Sequence, residues 1–389
     1  MPPTPPATAP LECFAAVAPG LEPLALAEAR ALGLPAALAV GGGGIEWTGD
    51  RRALLMANVS LRIASRVVVR LAEFEARTFA ELERHARRVP WTRVLDAQGA
   101  VRFRVTCKKS KLYHSDAVAQ RLADAVVRAL PGVRAEGSSV GEDEADAGDD
   151  AQLVVVRLLR DVCTVSADSS GALLHRRGYR QATAKAPLRE TLAAALLASS
   201  GWDGRAPLVD PLCGSGTIPI EAALMADGIP PNLGRRFAME RWPGVTTTLS
   251  SAVRAEVAAP AMPAGGHIGG SDRDAGAIAS AAANAERAGL ADRVELAVHA
   301  LSAAHFPAGV PGWVVSNPPY GVRVGDAHGV RDLWAQLGNV LRARAPGWRL
   351  ALLSPDAALE RELRIPMECV TRTNNGGIPI RIVTGRVPG

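Results

Sequence analysis

The stretch from Leu208 to Ala223 constrains the fold of this chain more than any other part of the sequence. Its apolar start runs into the carboxylate of Asp210 and then into a turn that contains Gly214 and Gly216. An Ala-rich segment at helical spacing follows, so the pattern predicts a strand, a tight loop and a helix. Because glycine lacks a Cβ and tolerates positive φ, such a loop lets a ligand reach backbone N–H groups at the start of a helix. The sequence therefore predicts an α/β fold with a nucleotide-like ligand at this loop.

The loop does not match either of two well-known phosphate-binding motifs. It does not spell G-x-G-x-x-G and it lacks the Lys-Ser/Thr pair of a P-loop, which disfavours NAD and ATP as ligands. The run Asp-Pro-Leu-Cys-Gly-Ser-Gly-Thr at 210–217 instead resembles the first motif of class I S-adenosylmethionine-dependent methyltransferases. Because a glycine-rich loop is also common in ordinary turns, a second motif is needed to support a cofactor site.

The second motif lies further along the chain, where an apolar strand ends at Asn317, Pro318, Pro319 and Tyr320. We expect these residues at the carboxyl edge of the same sheet as the glycine-rich loop. An exocyclic base amine is a poor nucleophile until acceptors hold its N–H groups, because its lone pair is delocalised into the ring. The side-chain oxygen of Asn317 and the carbonyl of Pro318 are suitable acceptors, and Tyr320 offers a face for stacking. Alone, the tetrapeptide is equally consistent with a rigid turn; in this context it predicts a base-amine site.

Length, charge and cysteine content limit the class of protein. The 389 residues are enough for two or three domains, and the net charge of +5 with a pI near 9.2 permits nucleic acid as a partner without requiring it. Five scattered cysteines without a C-x-x-C pair disfavour a disulfide framework and a zinc site. No apolar stretch reaches the roughly eighteen residues that span a bilayer, and residues 1–10 lack the features of a signal peptide. We therefore expect a cytoplasmic protein without metal or membrane contact, with a disordered tail over residues 1–10.

The N-terminal half predicts two α/β units. Residues 11–69 contain a strand from Glu12 to Val17, a helix from Leu21 to Leu32 and a glycine-led strand from Gly41 to Trp47. Residues 70–165 continue as helix, strand, helix and strand, with alternating arginines and apolar residues from Val101 to Val105. The acidic run from Gly141 to Asp150 predicts a surface loop without nucleic-acid contacts.

Two basic segments of this half are candidate RNA contacts. The first contains Arg104, Lys108, Lys109, Lys111 and Tyr113, because lysines beside an aromatic ring suit phosphates and an unstacked base. A solvated charged face is the alternative. The second lies in a predicted linker, residues 166–185, where Arg176, Arg177 and Arg180 surround an aromatic residue. Solvated linker arginines and RNA contacts are compatible explanations there, and His175 has no assigned role.

Residues 186–389 are predicted to form the catalytic domain. An Ala/Leu helix runs from Ala186 to Leu197, and an irregular insertion occupies Phe237 to Pro263. A second strand ends at Asp272, whose carboxylate we expect to accept hydrogen bonds from ribose hydroxyls. Asp272 is alternatively the N-cap of the next helix, a position for which Asp274 competes. Three further strands and a closing hairpin follow, at 294–298, 313–316, 349–354 and 371–386.

The two motifs, their order and the basic linker resemble the THUMP-containing RNA guanine-N2 methyltransferases, a group that includes bacterial 23S rRNA and tRNA enzymes. The resemblance covers nearly the whole chain from Leu11, and its distinctive pieces are 14–22, 174–180, 186–193, 210–217 and 316–321. It implies an N-terminal ferredoxin-like domain, a THUMP RNA-binding domain and a C-terminal Rossmann-like class I methyltransferase domain. It also implies a monomer with S-adenosylmethionine as cofactor and rRNA or tRNA as partner.

The resemblance also assigns site residues. The catalytic set is Asn317 to Tyr320, which would hold the guanine amine, and the cofactor contacts are Asp210, Pro211, Cys213, Gly214, Gly216, Thr217, Asp272 and Asn317. One departure is Ala300, where the family usually has an acidic residue that accepts from the adenine amine. Losing that bond is worth about 0.5–1.5 kcal/mol, so weaker cofactor binding or a substitute contact is expected. Two alternatives stay open: an N6-adenine methyltransferase acting on nucleic acid, and a non-catalytic RNA-binding factor.

Overall fold

The computed structural model describes residues 10–39, 41–136, 150–181, 188–259, 265–320 and 327–389. These residues contain two mixed β-sheets, one of eight strands and one of seven, both combined with helices. The predicted tail up to residue 9, nearly all of the acidic run, the predicted start of the Ala/Leu helix and Gly321 lie outside the described residues.

The first sheet is built by the N-terminal half, in the order β2-β3-β1-β4-β8-β7-β5-β6. Its strands are β1 (Leu11–Ala16), β2 (Ala37–Leu38), β3 (Gly44–Gly49), β4 (Arg66–Glu75), β5 (Ala100–Lys108), β6 (Arg134–Ala135), β7 (Gln152–Leu159) and β8 (Val162–Asp168). The helices are α1 (Glu22–Ala31), α2 (Arg51–Ser60), α3 (Phe79–Ala86) and α4 (Ser115–Ala129). In α4, the buried residues Val118, Leu122 and Val126 recur every four positions, so one apolar face packs on β5.

The strand β4 joins the two predicted N-terminal units. Arg70 pairs with Glu12 of β1 on one side and with Ser166 of β8 on the other. The boundary placed between residues 69 and 70 therefore falls inside a strand that both units share. The division into 11–69 and 70–165 stays a prediction, and the two units form one continuous sheet.

The second sheet is built by the C-terminal half, in the order β11-β10-β9-β12-β13-β15-β14. Its strands are β9 (Leu208–Asp210), β10 (Ile268–Asp272), β11 (Glu295–Val298), β12 (Trp313–Ser316), β13 (Arg349–Ser354), β14 (Met367–Asn375) and β15 (Ile378–Arg386). The first five strands are parallel; β15 is antiparallel to them, and β14, which pairs antiparallel with β15, runs in the same direction as the first five. The chain moves outward from β9 in both directions, so the switch point where α/β folds bind ligands lies between β9 and β12. The predicted α/β class is confirmed.

The helices of this half are α5 (Glu190–Ser200), α6 (Thr217–Ala226), α7 (Thr247–Ala258), α8 (Ala275–Arg287), α9 (Ala327–Arg344) and α10 (Ala357–Glu362). The expectation of an irregular insertion from Phe237 to Pro263 is wrong. It contains a short 3-10 helix, Ala238–Arg241, and α7, which packs against α2 of the N-terminal half. The Trp242 indole donates to Gln152 Oε1 at 2.6 Å, so the insertion holds the two halves together.

Buried polar contacts extend this interface. The Asn232 side chain donates to the Asn58 carbonyl at 3.1 Å, and the Met239 N–H donates to the Ser169 carbonyl at 3.0 Å. Arg62 donates to the carbonyl of Ile229 at 2.7 Å. Separating the halves would leave these groups without partners, which costs about 1–3 kcal/mol for each group that stays buried.

In the described ranges no helix is long and apolar enough to cross a membrane. The same residues contain no group of three or more His, Cys, Asp or Glu side chains placed to hold a metal ion.

Candidate active site

A cleft of about 720 Å³ lies at the carboxyl ends of β9, β10 and β12. Its volume is in the range of small-molecule sites, roughly 300–1,000 Å³. The fold brings most of the predicted site residues together there: Asp210, Cys213, Gly214, Thr217, Asp272, Asn317 and Pro319 all line the cleft, as does Ala300. The lining does not include four other predicted site residues, Pro211, Gly216, Pro318 and Tyr320, each of which adjoins a lining residue in the sequence.

The glycine-rich loop has the conformation that its sequence predicts. Gly214 has φ +52° and Gly216 has φ +81°, values that residues with a side chain rarely adopt. A Cβ added at Gly216 would lie 2.9 Å from the Cβ of Ala281, so α8 also excludes a side chain there. The Asn284 side chain donates to the Ser215 carbonyl at 3.0 Å and fixes the loop against α8.

The carboxylate of Asp272 closes this loop from the neighbouring strand. Its Oδ2 accepts from the Gly214 N–H at 3.0 Å, and its Oδ1 accepts from the Asp274 N–H at 3.0 Å. Asp274 is the N-cap of α8, because its side chain accepts from the N–H groups of Gly276 and Ala277. Asp272 is therefore free of the capping role that competed with ligand binding.

Asp210 lies at the bottom of the cleft and is only 1% exposed. Its Oδ1 accepts from Ser316 Oγ at 2.6 Å and from the Leu212 N–H at 3.1 Å. Burial is the main cause that raises the pKa of Asp210 to about 7; the two hydrogen bonds oppose the increase and the charge of Asp272 adds to it. The two predicted motifs thus meet through a buried carboxyl group whose pKa is raised toward neutral pH.

The tetrapeptide from Asn317 to Tyr320, which is predicted to be catalytic, contains a buried side-chain acceptor without a partner in the part of the chain that the structure describes. The Asn317 Oδ1 is buried and has no hydrogen-bond partner among the described residues. The neighbouring acceptors differ, since the Pro319 carbonyl accepts from the Trp334 indole at 3.1 Å and the Tyr320 hydroxyl accepts from Asn375 Nδ2 at 2.7 Å. Leaving a buried oxygen unpaired costs about 1–3 kcal/mol, so a ligand with an N–H donor is the natural partner of Asn317.

Several cleft residues escaped the sequence analysis. Val330, Leu333 and Gln336 share one face of α9, and Leu188, Arg273 and Leu301 complete the walls. Residues three positions apart lie on the same face of a helix, and this spacing was the one sequence signal that connected Val330, Leu333 and Gln336. Arg273 directly follows Asp272 and was predictable from that position alone.

The first basic segment forms an exposed patch at the end of β5. Lys108, Lys109 and Lys111 are exposed, and Tyr113 is 69% exposed with its ring 4.1 Å from that of His114. The backbone there is ordered, because the Lys111 N–H donates to Asp161 Oδ1 at 2.7 Å. Arg104 lies on β5 itself and is half-buried, which makes it a less accessible contact.

The second basic segment requires a correction. Arg177, predicted to bind RNA, has a fully buried side chain whose Nε lies 3.3 Å from Glu221 Oε1. Arg180 is nearly buried and donates to Glu190 Oε2 at 3.0 Å. Because these guanidinium groups neutralise buried carboxylates, they are unavailable to RNA. Arg177 also donates to the Arg62 carbonyl of the N-terminal half at 2.6 Å, so it helps to hold the two halves together. Arg176 is exposed, so its assignment stays a prediction.

His175 is buried beside these arginines. Burial, together with the positive charges of Arg189 and Arg176, lowers its pKa to about 3. The imidazole is therefore neutral at physiological pH and belongs to the interface, in agreement with its lack of an assigned role.

Three protein-family models match the chain. They describe an RlmL ferredoxin-like domain at residues 12–68, a THUMP domain at 76–168 and an RMKL-like methyltransferase domain at 177–379. The last match covers just over half of the chain. The chain belongs to the RMKL-like methyltransferase family. Its class I methyltransferase fold, its ferredoxin-like and THUMP domains and its use of S-adenosylmethionine, all implied by the resemblance, are confirmed.

Relatives of similar organisation support this membership. A Synechocystis protein, provisionally named an RNA methyltransferase, is 32% identical over 95% of both chains. The ribosomal RNA large subunit methyltransferase K/L of Magnetococcus marinus is 33% identical over 94% of this chain, and the chain spans about half of that protein, 52%.

Solved structures agree on the whole architecture. One solved structure shows a protein that is provisionally named a methyltransferase, in complex with S-adenosylhomocysteine. It superposes with a TM-score of 0.83 at 29% identity, over 98% of both chains. A Listeria monocytogenes protein named as a predicted N6-adenine-specific DNA methylase gives the same TM-score and identity, over 98% of this chain and 97% of the other. These matches establish the class of enzyme, and the base that it modifies is a separate question.

Proposed function

We propose that this protein methylates the exocyclic N2 of a guanosine in rRNA or tRNA. The observation that carries the proposal is the unpaired, buried Oδ1 of Asn317 in the cofactor-sized cleft. An amide oxygen in that position can hold a planar amine with its nitrogen facing the cleft, and it cannot itself take the methyl group.

The cofactor fits the half of the cleft that is formed by β9 and β10. Gly214 lines the cleft, and a Cβ added there would meet nothing within 4 Å among the described residues, so the loop backbone at Gly214 is open to a ligand. The Asp272 carboxylate, which lines the cleft and is free of the cap, would accept from ribose hydroxyls. When bound, S-adenosylmethionine supplies an electrophilic methyl group on a sulfonium sulfur.

The target base fits beside Asn317. Its Oδ1 and the Pro318 carbonyl would accept the two N–H groups of the amine, which fixes the nitrogen in one orientation. The half-buried ring of Tyr320 would pack against the base, and its hydroxyl is already held by Asn375. These residues orient the amine, which gains the methyl group and loses one proton.

The nucleic acid would be recognised by the N-terminal half. Lys108, Lys109 and Lys111 form an exposed positive patch, and Tyr113 beside them offers a stacking surface. RNA is favoured over DNA because the match to the THUMP family covers this patch and because both curated relatives are named as RNA enzymes. The guanine N2 target is favoured by the resemblance of the motifs, since Asn317 by itself suits any exocyclic amine.

Nucleoside analysis tests the proposal directly. The purified protein is incubated with isotopically labelled S-adenosylmethionine and with rRNA and tRNA from a strain that lacks the enzyme, and the RNA is digested to nucleosides for mass spectrometry. We expect N2-methylguanosine with the native protein and background levels with Asn317→Ala. Labelled N6-methyladenosine, the product suggested by the name of the Listeria relative, would overturn the guanine assignment. Unlabelled RNA after incubation with both rRNA and tRNA would overturn the RNA assignment.

A further inference from the structure

A groove of about 380 Å³ crosses the C-terminal hairpin formed by β14 and β15, outside the cleft. We call it the hairpin groove. Its lining includes three prolines, two arginines and an amide: Pro19, Pro355, Pro379, Arg372, Arg381 and Asn374. Pro19 comes from the N-terminal half and Pro355 follows β13, so the groove runs from the N-terminal half toward the carboxyl edge of the catalytic sheet.

The hairpin groove carries excess positive charge. Arg372 and Arg381 are directly opposite each other in the β14–β15 ladder, which places two guanidinium groups on one face. Like charges in this arrangement repel each other. Only Arg381 has a counter-ion, because its Nε lies 3.1 Å from Glu360 Oε1. Arg372 is exposed and has no hydrogen-bond or ion-pair partner in the part of the chain that the structure describes, so one positive charge is left over.

The contact between Arg381 and Glu360 is itself incomplete. The two atoms are within ion-pair distance, but neither makes a hydrogen bond of acceptable geometry to a described residue. The Glu360 side chain is 7% exposed and the Arg381 side chain 22% exposed, so solvent satisfies them poorly. The fold therefore places only one carboxylate beside two arginines. An anion bound at Arg372 would reduce the repulsion between the two guanidinium groups.

The position of the hairpin groove relates it to the substrate. In the middle of β14, Thr371 Oγ1 donates to the Gly20 carbonyl of the N-terminal half at 2.8 Å. At the end of β14, Asn375 Nδ2 donates to the Tyr320 hydroxyl at 2.7 Å. Arg372 and Asn374 lie between these contacts along the strand, within four residue steps or roughly 13 Å, and their side chains are on the opposite face of the hairpin from Thr371 and Asn375. A polymer that follows this face from Pro19 of the N-terminal half to Pro355 at the carboxyl edge of the catalytic sheet would pass these two side chains.

We propose that the hairpin groove binds the sugar–phosphate backbone of the substrate RNA next to the target nucleotide, with Arg372 as the phosphate ligand. This inference rests on the proposed function. A guanidinium group matches two phosphate oxygens with parallel N–H donors. The Asn374 amide can donate to a second phosphate oxygen or pair with a 2′-hydroxyl, and the proline rings offer apolar surface to a ribose.

Salt-dependent RNA binding tests this inference. The affinity of the full chain for unmodified tRNA and large-subunit rRNA transcripts is measured over a range of salt concentrations for the native protein, Arg372→Ala and Arg372→Lys. The matched control is Arg205→Ala. Arg205 is also exposed, but it precedes β9 and so lies at the amino edge of the catalytic sheet, opposite the carboxyl edge that the hairpin groove approaches.

We expect Arg372→Ala to weaken RNA binding and to reduce the slope of log K against log salt by about 0.7, the value for one single-strand phosphate contact. Arg372→Lys should retain the slope and part of the affinity, since it keeps the charge and loses the two-pronged donor. Arg205→Ala should match the native protein. Binding of S-adenosylhomocysteine, measured by calorimetry, should be the same in all four proteins.

An unchanged slope in Arg372→Ala, with a native protein that binds and methylates RNA, would overturn the groove assignment and leave the proposed function intact. A slope reduced equally in Arg205→Ala would also overturn it, because the effect would then be general surface charge. A native protein that neither binds nor methylates RNA would instead refute the proposed function on which the groove depends.

Discussion

The hydroxyl of Ser316 donates a hydrogen bond of 2.6 Å to Oδ1 of Asp210 and ties the end of β12 to the end of β9. The two residues are 106 positions apart in the chain. The predicted cofactor loop begins directly after one of them and the predicted catalytic tetrapeptide directly after the other, so this bond holds the two predicted sites at a fixed separation. Because Asp210 is buried, its protonation state affects the free energy of unfolding.

Asp210→Asn should change how stability depends on pH. Burial raises the pKa of Asp210 from 3.8 to about 7, so between roughly pH 4 and pH 7 the folded protein binds more protons than the unfolded chain. The contribution of Asp210 to the free energy of unfolding therefore falls as pH rises through this window and is constant above it. Asparagine cannot titrate and can still accept from Ser316. We expect the variant to gain stability relative to the native protein as pH rises from about 4 to about 7, measured by urea unfolding.

The same comparison contains its control. Glu190, whose pKa burial also raises to about 7, is present in both proteins, so its effect cancels from the difference. A stability difference that is constant across the window would show that Asp210 titrates at an ordinary pKa.

Asn317→Ala should abolish most of the activity without harming the fold. The variant removes an acceptor that orients the amine, and loss of a preorganised polar group of this kind lowers kcat by roughly a hundredfold. Because the oxygen is unpaired in the described structure, its removal should leave the melting temperature unchanged or raise it. Single-turnover kinetics, thermal unfolding and calorimetry with S-adenosylhomocysteine provide the readouts. Native turnover in this variant would exclude Asn317 from the chemistry, and a large loss of stability would give it a structural role.

Substitutions at Tyr320 should separate stacking from hydrogen bonding. Tyr320→Ala removes the ring, and loss of one base–aromatic stack costs about 1–3 kcal/mol in RNA binding. Tyr320→Phe keeps the ring and leaves Asn375 without its acceptor, which should reduce stability by about 0.5–1.5 kcal/mol and leave turnover nearly native. Asn375→Ala is the matched control, because it breaks the same bond from the other side. If Tyr320→Phe were as inactive as Tyr320→Ala, the hydroxyl would have a direct part in the reaction.

Ala300→Asp should tighten cofactor binding. Ala300 is exposed and lines the cleft at the position where the family resemblance implies an acceptor for the adenine amine. Restoring one hydrogen bond is worth about 0.5–1.5 kcal/mol, which lowers the Kd by a few-fold to about tenfold. Ser302→Asp adds the same charge at an exposed position outside the lining and should have little effect. An unchanged Kd in Ala300→Asp would mean that another group already holds the adenine, and the exposed amide of Gln336 in the same cleft would be the next to replace.

Lysine acylation should map the RNA surface of the N-terminal half. Three of the four lysines in the chain, Lys108, Lys109 and Lys111, lie in the exposed patch, and the fourth is Lys185. An amine-reactive reagent therefore reports almost exclusively on this patch. Bound RNA should protect the three lysines from acylation, as read by peptide mass spectrometry, and their joint replacement by alanine should reduce the salt slope of binding. Equal labelling with and without RNA would place the RNA elsewhere.

Substitutions are a better test of that surface than removal of the N-terminal half. Across the interface, Arg177 donates to the Arg62 carbonyl at 2.6 Å and the Trp242 indole donates to Gln152 Oε1 at 2.6 Å, so removing residues 1–168 leaves these buried donors without their acceptors, at a cost of about 1–3 kcal/mol each. Loss of RNA binding in a truncated protein would then report misfolding of the catalytic half.

The cofactor half of the site was predictable from sequence because its constraints are local. A strand that ends in Asp210, two glycines with positive φ and a second strand that ends in Asp272 each leave a signal within a few residues. The order of these segments along the chain was enough to place them at one edge of the sheet.

The interface was not predictable, because its signals are paired over long distances. The sequence around a linker arginine such as Arg177 does not reveal whether its side chain is solvated or buried. Its partner Glu221 lies 44 residues later, in a helix that is otherwise apolar at Ile218, Ile220 and Ala222. A carboxylate within such a helix requires a cation, and that requirement was the available clue. The walls of the cleft on α9 gave no comparable signal, since Val330 and Leu333 are ordinary helix residues.

The shared strand β4 has a consequence for any attempt to exchange recognition modules between enzymes of this kind. A transplant that begins or ends near residue 69 would cut a strand whose ladder bonds serve β1 and β8 at once. The smallest graft that keeps every strand pairing of the first sheet intact runs from Leu11 to Asp168. Target specificity should therefore be inherited as one indivisible block of the chain, and chimaeras joined after Asp168 are the ones with a prospect of folding.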